Sequence, residues 1–454
     1  MLFVCILSAR TIKEDSKAAD GGTKMTNEKE LYERANPVSK TAITTLAQRA
    51  AAGYEKAAEI LKRLDVDMDY YKNSAVTDER VRNVGILIHE LRHVAMNRTI
   101  EETGIENVFD LPCGYSQRVF EMLELGKTYV GGDLPAVINS FVPVVNEMLT
   151  DEEKKKVAFK VTDATSYESM EKAVAHIDGP ICISMEGLTP YLNKEEKKRF
   201  FSNIKKLLAK KGGCWLSADV ETMAYYRAGI GTFAENREEA QQMINAFLAA
   251  FSTQSDSDIM GNDLIERKDK NASGLSGGYD YDEMEKVYNS FGLKVERIPY
   301  YRDDLELKMF SKLTPEQTAK LKVLIRQVHI WKLTSDPDVS ADDSKQTSYE
   351  EREFSSTFRN LSGRLQIRLC GRVDSITAPA FLKAWEEEAG TNRVSSVAVD
   401  CADLQYISSA GLRVLLIIKK SLPGNVLILH NVNETVEEIL DTTGFSDLFT
   451  VVAE

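Results

Sequence analysis

The sequence contains few of the residues that build disulfide frameworks, metal centres or membrane spans. Its 454 residues include six cysteines, with no Cys-x-x-Cys pair or regular spacing, and five histidines. Scattered cysteines in a long chain are typical of reduced thiols, which argues against a disulfide scaffold and a cysteine zinc site. No apolar run reaches the roughly 18 residues that a spanning helix needs. We therefore expect a cytoplasmic protein.

Basic charge is also scarce. The chain has 57 Lys and Arg against 70 Asp and Glu, a formal net charge of −13 at pH 7. Binding to nucleic-acid phosphates needs a basic surface, and attraction to an anionic membrane also depends on basic residues. We therefore expect neither nucleic acid nor a membrane as a partner.

The N-terminus begins with seven apolar residues but lacks the basic segment of a signal peptide. A polar stretch follows up to Lys24, and a helical pattern begins at Met25. We predict that residues 1–24 are a disordered tail, or that translation starts at Met25.

Beyond Met25, the spacing of the apolar residues changes once, near Arg98. Up to about Arg98, apolar residues recur at helical spacing, and beyond it short apolar runs alternate with amphipathic helices. The predicted strands are 107–110, 128–130, 157–161, 181–184, 214–217, 293–298 and 329–333. Strands that alternate with helices predict a Rossmann-like α/β fold with a parallel, doubly wound sheet.

A second, smaller α/β unit follows a polar segment. Residues 335–347 are almost free of apolar side chains, which is typical of a linker. Strands and helices alternate again from Leu365 onwards. We predict a tail at 1–24, a first domain at 25–336, a linker at 337–358 and a second domain at 359–454.

The loops after the predicted strands carry residues suited to a nucleotide-type cofactor. Gly114 follows the first strand and lets the backbone approach a ligand near a helix N-terminus. Asp133 follows the second strand, where a carboxylate can accept hydrogen bonds from both ribose hydroxyls. The loop of Asp163 and Ala164 after the third strand offers an acceptor for an adenine amino group. The fourth strand leads into Glu186, beside the place where the reacting groups would meet.

Several motifs occur in a fixed order along this first domain. They are Thr41-Ala and Arg49-Ala in an early helix, Asp110 to Arg118 after the first strand, Asp133 to Pro135 after the second and Glu186 to Leu192 after the fourth. In this order they resemble the leucine carboxyl methyltransferase and polyketide O-methyltransferase family, class I enzymes that use S-adenosylmethionine. The resemblance spans roughly residues 33–334.

The resemblance implies a seven-stranded methyltransferase sheet with a helical lid, and S-adenosylmethionine as the cofactor. The implied cofactor contacts are Asp110, Gly114, Asp133, Asp163, Ala164 and Glu186. Methyl transfer to a carboxyl acceptor needs positioning more than proton removal, so no catalytic residue is assigned. The lid is the polar, helix-rich segment 221–278, in which Tyr225 and Tyr226 either shape the acceptor pocket or only pack the lid.

One further motif suggests different chemistry. Residues 89–93 read His-Glu-Leu-Arg-His on a predicted helix, a spacing that can hold zinc with Glu90 as a base. The same residues can belong to a packing helix ahead of the first strand. No third ligand is identifiable, since the other histidines are His176, His329 and His430. We therefore expect no metal site, and a zinc protease is the minor alternative.

The most diagnostic stretch is 400–416, in which a buried strand leads into a helix that begins near Ser408 and Ser409. A serine at a helix start is most often a cap that accepts from first-turn N–H groups. Together with 371–374 and 442–449, the stretch resembles the STAS domain of bacterial anti-sigma factor antagonists and sulfate-transporter tails. The resemblance implies phosphorylation of Ser409 and binding to an anti-sigma-type kinase or another STAS protein.

Two functions from different classes follow. In the favoured one, the first domain is an S-adenosylmethionine-dependent O-methyltransferase with a carboxyl or hydroxyl acceptor, coupled to a STAS module that is regulated by partner binding or serine phosphorylation. In the alternative, the first domain is a non-catalytic sensor of S-adenosylmethionine, and the STAS domain acts as an anti-sigma factor antagonist.

Overall fold

The structure of the chain is a computed structural model that describes most of the sequence. The described residues are 37–66, 79–251, 274–302, 305–337, 354–361, 364–374, 377–391, 394–424, 426–433 and 445–452, with a few single positions between them. The predicted tail at 1–24 and residues 338–353 of the predicted linker lie outside them. The chain divides into two compact units, residues 1–341 and 342–454.

The first unit opens with helices that precede the sheet. Their bounds are Pro37–Ala52 for α1, Glu55–Arg63 for α2 and Glu79–Glu102 for α3. Side chains at the apolar positions of the helical pattern are buried, including Leu46 on α1 and Leu87 and Leu91 on α3. Burial of these residues holds α1 and α3 against each other.

A seven-stranded sheet forms the centre of the first unit. Its strands are β1 (Asn107–Asp110), β2 (Thr128–Asp133), β3 (Val157–Val161), β4 (Ile181–Met185), β5 (Gly213–Ser217), β6 (Leu293–Pro299) and β7 (His329–Ser335). They are arranged in the order β3-β2-β1-β4-β5-β7-β6. The predicted Rossmann-like α/β sheet is confirmed. It is mixed and not wholly parallel, because β7 runs antiparallel to both β5 and β6.

Helices and short turns connect the strands. They are α4 (Arg118–Glu124), α5 (Pro135–Met148), α6 (Asp151–Lys154), α7 (Tyr167–Ala173), α8 (Lys194–Lys211), α9 (Thr222–Phe233), α10 (Arg237–Phe251), α11 (Tyr281–Ser290) and α12 (Pro315–Ile325), with 3-10 turns at Thr189–Tyr191 and Lys308–Lys312. Helix α12, between β6 and β7, packs against α9. Helix α12 does not lead back across the sheet as the helix of a parallel crossover would. Strand β7 therefore runs antiparallel to its two neighbours. Among the described helices, none has both the length and the apolarity that crossing a membrane requires.

Alternate residues of each strand point to opposite faces of the sheet and contribute to two cores. Val108 and Tyr129 are buried in the core that includes α1 and α3, whereas Phe109 and Val130 are buried in the core that includes α8. With both faces covered, the carboxyl ends of the strands are left as the edge at which polar side chains gather.

The second unit is a smaller α/β structure. Its elements are β8 (Ser355–Leu361), β9 (Arg364–Val373), α13 (Ala378–Thr391), β10 (Ser396–Ile407), α14 (Ser409–Ser421), β11 (Leu427–His430), a 3-10 turn (Ser446–Leu448) and β12 (Thr450–Val452). The strand order is β12-β11-β10-β9-β8, and β8 pairs antiparallel with β9. Leu365, Ile367 and Leu369 of β9 alternate with less buried residues and share a core with α13 and α14. Strand β8 begins inside the segment predicted as a linker.

Gly411, near the start of α14, has no room for a side chain. A Cβ atom there would lie 2.7 Å from the carbonyl oxygen of Val373. Gly390 on α13 is a matched control, because no described atom lies within 4 Å of a Cβ built there. We expect Gly411→Ala to destabilise the second unit by about 1–3 kcal/mol, and Gly390→Ala to stabilise it by up to about 1 kcal/mol. Hydrogen exchange of β10 peptides in the full chain measures both changes, and equal protection in the two variants would contradict this packing.

Candidate functional site

A cavity of about 170 Å³ opens at the carboxyl ends of β1, β2 and β4. The strand order reverses between β1 and β4, and open α/β sheets bind ligands in the crevice at such a switch point. The structure brings together Gly114, Asp133 and Glu186 from the predicted cofactor contacts, and Tyr225 and Tyr226 from the predicted lid. All five line the cavity.

Asp133 ties the loop after β1 to the loop after β2. The Gly114 N–H donates to its Oδ2 at 2.7 Å, and the Leu134 N–H donates to its Oδ1 at 2.7 Å. Gly114 has a φ of +52°, a left-handed conformation that favours glycine. Each carboxylate oxygen of Asp133 keeps a second lone pair with which it can accept from a ligand.

The environment of Asp133 changes its acidity. Its side chain is buried, and burial raises its pKa to about 6. The N–H groups of Gly114 and Leu134 act in the opposite direction, while the charge of Asp110 adds to the rise. The carboxyl is therefore mostly ionised at neutral pH and takes up a proton in mildly acidic solution.

Glu186, just after β4, is the centre of a buried ion-pair cluster. Its Oε2 accepts from Nη2 of Arg49 at 2.8 Å and from Nε of Arg92 at 3.2 Å, and its Oε1 accepts from Nη2 of Arg118. Burial by itself would raise the pKa of Glu186. The charges of Arg118, Arg49 and Arg92 outweigh burial and hold that pKa well below its usual range. Glu186 therefore stays ionised in neutral and mildly acidic solution.

Asp110 supports this cluster from behind the cavity wall. Its Oδ1 accepts from Nη1 of Arg118 at 2.9 Å and from the Ser184 hydroxyl at 2.5 Å, and its Oδ2 accepts from the Tyr129 hydroxyl at 2.8 Å. Asp110 is fully buried and is not among the residues that line the cavity. The structure thus places this predicted cofactor contact behind Arg118, where it orients the guanidinium.

Asp163 and Ala164 also lie outside the cavity lining. Oδ1 of Asp163 accepts from the backbone N–H and the hydroxyl of Thr165, both at 2.8 Å, and the Asp163 N–H donates to the Ser169 hydroxyl at 3.0 Å. The Ala164 carbonyl accepts from the Asn203 amide at 3.4 Å. These contacts shape the turn from β3 into α7, and the adenine contact of this loop stays a prediction.

Asp219, which belongs to none of the motifs, shapes the loop that follows Glu186. Its Oδ1 accepts from the Gly187 N–H at 2.6 Å, and its Oδ2 accepts from the N–H groups of Leu188 and Thr189 at 2.8 and 2.9 Å. It lies just after β5 and lines the cavity. One carboxylate therefore holds three successive N–H groups of the loop.

The helix that begins the predicted lid forms a wall of the cavity. Helix α9 is buried at every position except Gly231, and it packs against α3 and α12. The prediction of a polar insertion is therefore wrong for residues 222–233, because this helix belongs to the core. The Tyr225 hydroxyl accepts from Nη1 of Arg92 at 3.0 Å. Residues 252–263 of the predicted lid lie outside the described part of the chain.

The side chains of the zinc-like motif, residues 89–93 on α3, contact different partners. Glu90 accepts from two backbone N–H groups at the start of the 308–312 turn, at 2.6 and 2.9 Å. His93 pairs with Glu121 at 2.6 Å, while His89 lines the cavity. Within the described ranges, no group of three or more His, Cys, Asp and Glu residues is placed to hold a metal ion. The motif lies on a buried packing helix.

Arg49 and Arg92 line the cavity, although the sequence motifs that contain them assigned neither residue to the site. Arg92 lies four residues after Ile88 and three before Ala95, and both of these neighbours are buried. Arg49 lies three residues after Leu46 on α1, which is also buried. A charged side chain on the apolar face of a helix must find a partner when that face is buried, and this signal was present in the sequence.

The second candidate site lies where β10 leads into α14. Ser408 is the N-cap of α14, and its hydroxyl oxygen accepts from the N–H groups of Ala410 at 3.2 Å and Gly411 at 3.5 Å. The capping interpretation is thus confirmed for Ser408, which is buried. Ser409 is the first residue of α14, and its side chain lies outside the described atoms.

Comparison with known proteins identifies the second unit. Residues 357–454 match the family model described as STAS domain. The predicted STAS domain is therefore confirmed. A solved anti-sigma factor antagonist from Mycobacterium paratuberculosis is 17% identical over 23% of this chain and 88% of that chain, with a TM-score of 0.21.

Over the first unit the chain is similar to solved methyltransferases. An O-methyltransferase family protein from Burkholderia thailandensis is 11% identical over 73% of this chain and 82% of that chain, with a TM-score of 0.31. Human N-acetylserotonin methyltransferase, solved in complex with SAM, is 9% identical over 73% of this chain and 81% of that chain, with a TM-score of 0.29. No curated protein matches the chain.

We expect Glu186→Ala to destabilise the first unit by about 3–5 kcal/mol, because three buried guanidinium groups lose their shared counter-charge. Glu195 is the control, since it pairs with Lys198 at the surface, where its side chain is 39% exposed. Its replacement by Ala should cost less than about 1 kcal/mol. Urea unfolding of the full chain, followed by tryptophan fluorescence, measures both variants. Equal unfolding midpoints would show that the cluster does not stabilise the unit.

Proposed function

We propose that the first unit is an S-adenosylmethionine-dependent O-methyltransferase that acts on a carboxyl or hydroxyl group. The observation that carries this proposal is the convergence of Gly114, Asp133 and Glu186 on one cavity. These residues follow three different strands, and they lie at the switch point of the sheet.

The cavity residues fit this cofactor at three points. Asp133 offers one free lone pair on each oxygen, which suits two ribose hydroxyls. Gly114 has no side chain, so a ligand can come close to the backbone after β1. The Nε atom of Arg49 is buried and has no partner among the described atoms, although the residue lines the cavity. An anionic group such as the carboxylate of the cofactor would satisfy it.

When bound, the cofactor supplies a methyl group on an activated sulfonium. The protein therefore has to orient the acceptor and exclude water. Glu186 anchors two guanidinium groups for this purpose. Arg49 also donates to the Ser116 hydroxyl at 3.0 Å, and Arg92 also donates to the Tyr225 hydroxyl on α9. Tyr225 and Tyr226 are buried and close the α9 side of the cavity.

A second candidate function is a sensor that binds S-adenosylmethionine without turnover. The STAS domain in the same chain supports it, because the domain could report the bound state to a partner. The same cavity serves both functions, so turnover is the property that separates them.

Asp133→Asn should weaken the binding of S-adenosylhomocysteine by about tenfold or more, because the amide removes one acceptor and the negative charge. The affinity of the unaltered chain should fall as the pH is lowered through about 6, where Asp133 takes up a proton. Asp133→Asn should lose this part of the pH dependence. Calorimetry on the full chain measures both effects, with the exposed Asp151 replaced by Asn as the control.

No measurable binding of S-adenosylmethionine or S-adenosylhomocysteine by the unaltered chain would overturn the proposed function. Methyl transfer should be assayed with small acids, phenols and whole-cell extract as acceptors. Transfer of a methyl group to an oxygen atom would support the enzyme, whereas binding without any transfer would favour the sensor.

We further propose that the STAS domain binds an anti-sigma-type kinase or another STAS protein, and that Ser409 is its phosphorylation site. A phosphate at the first position of α14 would lie at the helix N-terminus, where the helix dipole favours negative charge. The hydroxyl of Ser408 is already engaged as the cap.

The five described cysteines are free thiols, which supports a cytoplasmic location.

Incubation of the full chain with ATP and extract should place a phosphate on Ser409, and Ser409→Ala should abolish it. Ser408→Ala should keep the phosphate but lose the cap, at a cost of about 1 kcal/mol. Phosphopeptide mass spectrometry of residues 400–416 distinguishes the two serines. A phosphate on Ser408 in the unaltered chain, or no phosphate on either serine, would contradict this proposal.

A further inference from the structure

His89 lines the cavity and has one ring nitrogen with the capacity to accept a hydrogen bond. Its Nδ1 lies 2.8 Å from the carbonyl oxygen of Gly85. A carbonyl oxygen can only accept, so Nδ1 carries the hydrogen atom in this contact. In a neutral imidazole the other nitrogen, Nε2, is then an acceptor. Nε2 has no hydrogen-bond partner among the described residues, and His89 lines the cavity.

The surroundings of His89 keep the ring neutral. Burial, followed by the positive charges of Arg92 and Arg49, lowers its pKa to about 3, although the Gly85 carbonyl and Glu186 act in the opposite direction. The ring therefore offers a lone pair, and not a positive charge, to any molecule in the cavity.

Arg92 presents a donor beside this acceptor. It lies three residues after His89 on α3, so the two side chains share one face of the helix. Its Nε donates to Glu186 and its Nη1 donates to Tyr225. Its Nη2 has no partner among the described residues, and the side chain lines the cavity. A buried guanidinium that lacks one partner is satisfied by a carbonyl or carboxylate oxygen.

Arg92 lies on the α9 side of the cavity, and His89 lies on the same face of α3 as Arg92. Arg49 connects Glu186 with Ser116 in the loop after β1, whereas Arg92 connects Glu186 with Tyr225 on α9. The proposed cofactor contacts Gly114 and Asp133 belong to the loops after β1 and β2. His89 and Arg92 are therefore on the side that is left for the methyl acceptor.

We propose that His89 and Arg92 recognise the methyl acceptor together, and that this acceptor carries a hydroxyl group next to a carbonyl or carboxylate oxygen. The hydroxyl donates to Nε2 of His89, and the neighbouring oxygen accepts from Nη2 of Arg92. The inference rests on the proposed methyl transfer and narrows its acceptor to the hydroxy-carbonyl class.

Each of the two proposed hydrogen bonds disfavours a methyl acceptor that lacks the group making it. A carboxylate without a hydroxyl would face the lone pair of Nε2 and gain no hydrogen bond from His89. A hydroxyl compound without the second oxygen would leave Nη2 of Arg92 unpaired in a buried site. Burying a polar group without its partner is unfavourable, so both simpler compounds should bind more weakly.

The test compares probes that differ by one group. Salicylate and mandelate carry both groups, benzoate and phenylacetate lack the hydroxyl, and phenol and benzyl alcohol lack the carboxylate. Binding to the full chain is measured by calorimetry with S-adenosylhomocysteine present. We expect at least one hydroxy acid to bind about tenfold or more tightly than both of its single-group partners.

Variants of His89 then test which residue provides the discrimination. His89→Phe should remove the preference for a hydroxy acid over its partner without a hydroxyl, while the affinity for S-adenosylhomocysteine stays within about twofold. His89→Gln, whose amide oxygen can accept a hydrogen bond, should retain most of the preference. His176, which is exposed, is replaced by Gln as the control.

The outcomes separate this inference from the proposed function. If the unaltered chain binds S-adenosylhomocysteine but no hydroxy acid exceeds its partners, the acceptor inference is wrong and the proposed function stands. If His89→Phe keeps the full preference, the assignment of His89 is wrong. If the unaltered chain does not bind S-adenosylhomocysteine, the proposed function fails, and the inference fails with it.

Discussion

A buried carboxylate that is shared by three arginines is the interaction on which the candidate site depends. Glu186 lies just after β4, and its partners come from different segments: Arg49 from α1, Arg92 from α3 and Arg118 from the start of α4. Removing such charges from water costs several kcal/mol each, and only well-placed counter-charges recover that free energy. The positions of the three helices at the sheet edge are therefore coupled to one side chain.

The other carboxylates at this edge of the sheet mostly stabilise the local structure through hydrogen bonds to protein groups. Asp110 orients Arg118, Asp219 binds successive N–H groups of the loop after Glu186, and Asp133 joins the first two loops. Among the described residues, free bonding capacity toward the cavity then remains chiefly on Asp133, Arg49, Arg92 and His89. A site whose polar groups are already held in place loses less entropy when it binds a ligand. Because most polar groups of the cavity are already bonded within the protein, the cavity can satisfy only a limited range of ligands.

The rule that polar residues after parallel strands meet at one sheet edge was useful but incomplete. It correctly brought Gly114, Asp133 and Glu186 to one cavity, because β2, β1 and β4 are neighbours. It did not bring Asp163 and Ala164 there, because β3 lies at the outer edge of the sheet, beyond β2. Position within the sheet, which no local pattern encodes, separated the residues that line the cavity from those that shape the turn into α7.

The sequence by itself determined the two α/β units, the STAS domain and the serine cap at the start of α14. These features depend on periodicity and turn chemistry within a few residues, so they can be read locally. Only the tertiary structure decided that β7 is reversed, that α9 is buried and that three arginines share Glu186. Arg49 and Glu186 are 137 residues apart, and no local preference connects residues at that separation. Their pairing follows from the packing of α1 against the sheet edge, where each buried charge needs an opposite charge.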